Sequence, residues 1–249
     1  MNAYELKDKL NEFYPFCVID EIAKSGYVDN SGVIVEGESD KICFTLDLTD
    51  GAIDYALEKG CALIVTHHPV IFTSVKSVKG VLARAIKNGI GIISMHLPAD
   101  YAPKGVDYYL AEALGAKNAE VLEKMKNGSA YGRLFEIERS TLSDFAEMVY
   151  EKLSCVNLSV FGENKSLKKV ASFCGAGLDE QALILAKDAD VIVSADVKHH
   201  VILSLVSEGK CLVMPTHYAT ENYGFKKISQ DMQKVLKEEV YYYEENVLL

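Results

Sequence analysis

Six histidines, His67, His68, His96, His199, His200 and His217, are spread through 249 residues, and each falls at or just past the end of an apolar run with strand character. Imidazole together with carboxylate is the donor set of Zn, Mn, Fe, Co or Ni, whereas oxygen alone suits Mg or Ca. His67 and His68 follow the branched run Cys61-Ala62-Leu63-Ile64-Val65, and Pro69, with no N–H for a ladder, stops the strand behind them. His96 and Asp100 are four apart, as are His217 and Glu221, so a helical turn begun at either histidine would put both groups on one face. Each pair alone reads as readily as a helix start with an acidic residue, and a lone histidine as a hydrogen-bonded structural one. Their joint occurrence points to metal.

The elements that must carry these residues alternate. Residues 4–14 read as an amphipathic helix with Leu6, Leu10 and Phe13 on one side, and Asp29-Asn30-Ser31-Gly32 as a turn into a short strand. From residue 41 the order becomes strand 41–48, helix 51–59 behind a Thr49 or Asp50 cap, strand 61–65, helix 79–88, strand 90–95 and helix 106–114. Residues 117–130 are polar and suit a junction, followed by a β-α-β piece over 131–161 that looks inserted. The first rhythm then returns, with strand 169–174, helix 179–187, strand 189–194, helix 200–208 and strand 211–214, and a final helix and strand complete the chain. Matching strand ends carry matching chemistry, with His96/Asp100 after the third strand of one run and His217/Glu221 after the third strand of the other. The expectation is an α/β protein of two related lobes with mostly parallel sheets, a first lobe over 1–125 and a second over 126–249 whose last segment packs back on the first.

Bulk properties narrow the function. A net charge of −10 and a pI near 5.1 provide no global field to gather phosphate backbones, so nucleic-acid binding would need a local basic patch such as Lys165–Lys169. The six cysteines form no C-x-x-C and read as reduced, mostly buried thiols. No apolar run approaches the roughly 20 residues of a membrane span, and the first residues lack the order of a signal peptide, so a cytoplasmic protein without a membrane partner is expected.

Asp29-Asn30-Ser31-Gly32, Leu46-Asp47-Leu48-Thr49, Thr66-His67-His68-Pro69, His96-Leu97-Pro98-Ala99-Asp100 with Gly105-Val106-Asp107, Gly175-Ala176-Gly177, Asp196-Val197-Lys198-His199-His200 and Thr216-His217-Tyr218-Ala219-Thr220-Glu221 follow in the order seen in one family. Over nearly its whole length the chain resembles the GTP cyclohydrolase I type 2 homologs, or Nif-three-like proteins, in the short form without a middle insertion domain. The resemblance implies two α/β lobes, two divalent cations in the cleft between them, and a homohexameric ring. It implies His68 and Asp100 as ligands of one metal, His67 and His217 of the other, and Glu221 bridging. Two departures affect the pocket and no ligand: the tryptophan common before Asp29 is absent, and Thr216 stands where glycine is usual.

The activity implied is metal-dependent hydrolysis, with water attacking the guanine ring of GTP and His96 as a general acid or base or as a group orienting Asp100. Two other readings compete. A non-enzymatic metal-binding ring, serving as scaffold or nucleic-acid clamp, is disfavoured by the acidic charge and the open metal positions. A phosphoesterase using the same metals is compatible with every residue named.

Overall fold

A computed structural model of the chain describes residues 1–71 and 77–245. The last residues of the expected second lobe, 246–249, lie outside the described residues. The chain divides into two units, one made of Met1–Gly105 with the segment from Phe225 onward, the other of Val106–Gly224. The division falls at 105/106 and again at 224/225, where the sequence suggested a border at 125/126 with the last segment packing back on the first lobe.

In the first unit, α1 (Ala3–Asn11) starts at Asn2, whose side chain accepts from the N–H groups of Tyr4 and Glu5 while Glu5 reaches back to Asn2. Leu6 and Leu10 are buried, but Phe13 lies beyond the end of the helix and is exposed, contrary to the face assigned to it. A short helix, α2 (Val18–Ile22), occupies part of the stretch between residues 14 and 29, where the sequence suggested no element. There follow β1 (Gly32–Val35), β2 (Lys41–Thr45), α3 (Asp50–Lys59), β3 (Leu63–Thr66), α4 (Gly80–Lys87), β4 (Gly91–Ser94) and α5 (Leu97–Tyr101). Thr49 caps α3 by accepting from the Ala52 N–H, and Gly60 ends it in the left-handed conformation. The middle strands are buried along nearly their whole length, as their branched apolar composition requires, and Ile53, Ala56, Leu82 and Ala85 of α3 and α4 pack on Cys43, Ile64 and Ile92.

The second unit contains α6 (Val106–Ala113), β5 (Glu120–Lys124), β6 (Ala130–Thr141), α7 (Leu142–Lys152), β7 (Leu158–Phe161), β8 (Ser166–Ser172), α8 (Glu180–Leu185), β9 (Val191–Val193), α9 (His199–Ser207) and β10 (Cys211–Pro215). The polar stretch taken for a junction is thus the β5 strand and its turn into β6. Helix α10 (His217–Val235) contains the second border, and β11 (Glu239–Tyr242) pairs with β2 of the first unit. Helix α10 begins directly at His217, because the Thr216 hydroxyl accepts from the Ala219 N–H and Thr216 O from the Thr220 N–H.

The first sheet has the order β1-β4-β3-β2-β11, parallel except for β1, while the second runs β5-β6-β8-β9-β10-β7 and is mixed, with β8, β9 and β10 parallel and the remaining pairs antiparallel. The chain is therefore mixed α/β with two sheets. The repeat is longer than the sequence suggested. In each unit an antiparallel edge strand, β1 or β7, precedes the three parallel strands and pairs with the last of them. Strand β7 was read as part of an insertion and is instead the counterpart of β1. No helix among the described residues is long and apolar enough to cross a membrane, and the six cysteines form no disulfide.

Candidate metal centre

In the first unit, β3 ends at Thr66 and passes His67 and His68 straight into the turn, while β4 ends at Ser94 and delivers His96 ahead of α5. His67, His96 and Asp100 each offer a donor atom, and these atoms all lie within 4.8 Å of one another. His67 Nε2 is 3.5 Å from Asp100 Oδ1, and His96 Nε2 is 3.9 Å from Asp100 Oδ2. The His67 ring is fully buried, 5.2 Å from the Phe225 ring, which in turn lies 5.9 Å from Phe44 on β2. Apolar contacts thereby fix the imidazole's plane. Its Nδ1 lies 3.3 Å from the Met95 carbonyl, and His68 Nδ1 lies 2.8 Å from Asp47 Oδ1.

Around His96 the Asp-Asn-Ser-Gly turn does the positioning. The Ser31 hydroxyl donates to Asp29 and accepts from the His96 N–H at 2.8 Å, and Asp29 Oδ2 accepts from the Leu97 N–H at 3.2 Å. His96 Nδ1 is 3.6 Å from Asp29 Oδ1. Burial pushes the Asp29 carboxyl up, but His96, the Leu97 N–H and the Ser31 hydroxyl outweigh that and hold it below the ordinary carboxylate range. The Tyr27 phenol is pushed up, first by burial and then by the charges of Asp29 and Asp100.

In the second unit His217 is the first residue of α10, and the i,i+4 spacing works as expected, with His217 Nε2 at 3.0 Å from Glu221 Oε1. His217 Nδ1 lies 2.6 Å from Asp196 Oδ2. Gly175 approaches this pair closely. Its φ is +55°, its N–H donates to Thr220 Oγ1 at 2.9 Å, and a Cβ there would collide with Glu221 Oε1 and sit 3.0 Å from His217 Nε2. The Cys174 sulfur, read from the sequence only as a small hydrophobe, lies within 4.8 Å of a Glu221 carboxylate oxygen. His200 instead pairs with exposed Glu180 at 2.6 Å, and neither it nor His199 belongs to a three-donor group among the described residues.

The family model described as Duf34/NIF3 (NGG1p interacting factor 3) matches residues 1–246. The chain belongs to this family. A Clostridium perfringens member named GTP cyclohydrolase 1 type 2 homolog is 28% identical over 249 residues, which is 93% of this chain and 94% of that protein. A Methanocaldococcus jannaschii protein of the same name is 27% identical over 253 residues, covering 96% and 98%. Among solved structures, a hypothetical protein of Staphylococcus aureus shares the fold with a TM-score of 0.86 at 24% identity, over 99% of this chain and 97% of that one. Reduced HcgD from Methanocaldococcus jannaschii gives 0.76 at 26% identity, over 97% of both chains.

The residues of this Duf34/NIF3 chain fit a divalent cation on their own chemistry. A carboxylate or a carbonyl oxygen only accepts, so Nδ1 of His67, His68 and His217 is placed to donate where it meets Met95 O, Asp47 and Asp196. A cation at Nε2 would take the lone pair there, with the ring oriented from behind. Of these supporting groups, Asp47 and Asp196 lay within motifs quoted from the sequence, yet no spacing rule joins residues 21 apart to a histidine.

Proposed function

We propose that the protein is a metal-dependent hydrolase of the GTP cyclohydrolase type that holds two divalent cations of the Zn, Fe, Mn, Co or Ni class. His68 and Asp100 would hold one, His67 and His217 the other, with Glu221 shared. The single observation that carries the reading is the common orientation of His67, His68 and His217, each with Nδ1 on an oxygen acceptor, the arrangement that dedicates Nε2 to a cation. The names of the relatives supply GTP as the first substrate to try. Cations bound there would acidify water and polarise the bond under attack.

The chain's own residues supply the rest. The Ser31 hydroxyl holds the His96 N–H and Asp29 faces its Nδ1, leaving Nε2 toward Asp100 as a group that can hold or pass a proton during attack on the guanine ring. Asp100, with a side chain 7% exposed, gains from cationic neighbours because an isolated buried carboxylate is costly. We also propose a homohexamer, for which a monomer mass by light scattering would be the contrary result.

The test is elemental analysis and turnover on the same preparations. Up to two equivalents of transition metal per chain are expected, with occupancy lowered at both sites in Glu221→Ala. Full occupancy in that variant rejects the shared role of Glu221. Metal-dependent turnover of GTP supports the cyclohydrolase reading, and turnover of a phosphodiester alone replaces it with the phosphoesterase.

A further inference from the structure

Among the described residues, two that are not glycine have a left-handed backbone, Ser154 at φ 51° and Asp196 at φ 50°. Helix termination accounts for Ser154. It follows the last turn of α7, where the Cys155 N–H closes on Tyr150 O at 2.9 Å and the Ser154 N–H lies 3.2 Å from Glu151 O. Asp196 ends no helix. It sits between β9 and α9, with the preceding Ala195 N–H donating to Gly175 O at 2.9 Å and the following Val197 buried. Aspartate tolerates this conformation better than most residues, but it is still disfavoured relative to glycine.

We infer that Asp196 is a positioning residue for His217, held in a left-handed conformation because that brings its carboxylate onto Nδ1 and dedicates Nε2 to metal. The inference rests on the metal reading proposed above. Stability does not explain the contact. The two side chains are 61% and 34% exposed, and an ion pair so wet contributes little to folding. Orientation does explain it. Rotation about the last torsion of histidine is broad, so an unanchored ring on the first residue of α10 would turn between its two faces and exchange tautomers. Asp196 at 2.6 Å gives Nδ1 an acceptor for its proton and turns Nε2 to the Glu221 carboxylate at 3.0 Å, where a cation would take its lone pair. Gly175 serves the same geometry from the other side, because any side chain there would enter the space of both groups.

Two substitutions separate positioning from architecture. Asp196→Gly removes the carboxylate and relieves the backbone, whereas Asp196→Asn keeps an oxygen acceptor and a residue that tolerates the conformation. Full-length protein is titrated with Co(II), followed by its visible absorption, and the melting temperature of each metal-free variant is recorded. In Asp196→Gly at least one binding step weakens by about 10–100-fold while the metal-free melting temperature is equal to or above that of wild type; Asp196→Asn weakens less. Wild-type Co(II) affinity in Asp196→Gly overturns the inference, and so does a weakened affinity matched by a lowered metal-free melting temperature. Absence of Co(II) binding in the unsubstituted protein overturns both this inference and the function it rests on.

Discussion

Asp47 Oδ1 lies 2.8 Å from Nδ1 of His68, across 21 residues of sequence. The carboxylate leaves β2 and the imidazole leaves the adjacent parallel strand β3, so the pair is set by register: Thr45 stands beside Thr66, and the His67 and His68 N–H groups donate to Thr45 O and Leu46 O. Replacing Asp47 with Ala is expected to weaken metal binding by about 10–100-fold while the metal-free melting temperature changes little, since the pair is partly exposed. Calorimetric titration of metal into both proteins checks this, and unchanged affinity would remove Asp47 from the site.

His96 offers a different signature. It faces Asp29 and Asp100, and its side chain is 19% exposed. If it moves protons, His96→Ala should lower turnover by roughly 100- to 10,000-fold with metal content nearly kept. Metal lost in step with turnover would mean that its contribution is to hold Asp100.

The thiols should separate sharply. Cys17 is exposed and the other five cysteines are buried; burial pushes both Cys61 and Cys155 up to about 11. Attack requires thiolate and access, so at pH 8 an aromatic disulfide reagent should modify one equivalent quickly in native protein and six after denaturation. Two or more fast equivalents would contradict the packing of the buried set.

Asp190 joins strands through its side chain. Its Oδ2 accepts from the Lys168 and Lys169 N–H groups at 2.8 and 2.9 Å. Burial pushes the carboxyl up, but those two donors and the charges of Lys165 and Lys169 hold it below the ordinary range. A folded-state value lower than the unfolded one stabilises fully above the unfolded pKa of about 3.9, and that stabilisation is lost as pH falls through the folded value. Asp190→Asn should therefore cost on the order of 1 kcal/mol at pH 7. The difference should shrink below about pH 4. Urea melts at several pH values measure it, and a gap that widens in acid would reverse the assignment.

Local rules made much of the fold legible. The run before His67, the Thr49 cap and the i,i+4 spacing of His217 and Glu221 each specify geometry within a few residues, and the strand, the cap and the paired side chains are all found there. What escaped was decided at longer range. Strand β5 is polar because both its ends are exposed, and only pairing with β6 identifies it as a strand. Nothing local distinguishes β7 as the counterpart of β1, since that equivalence exists only in the ladders to β10 and β4. The anchors Asp47 and Asp196 depend on strand register and on one left-handed residue, neither of which leaves a periodic trace.

The placement of β11 has a consequence for the order in which the molecule can be made. Glu239 pairs with Lys41 and Tyr242 with Phe44, and Glu245 accepts from the Thr49 hydroxyl at 2.7 Å, across 196 residues. The unit that begins first during synthesis therefore lacks its fifth strand until Glu239–Tyr242 has emerged, whereas the continuous stretch Val106–Gly224 contains all the strands of its own sheet. Folding should proceed inside out. The later-made unit is able to close early through shorter loops, and the earlier-made one waits with one flank of β2 open to other strands. On the ribosome, that flank is the surface most in need of protection.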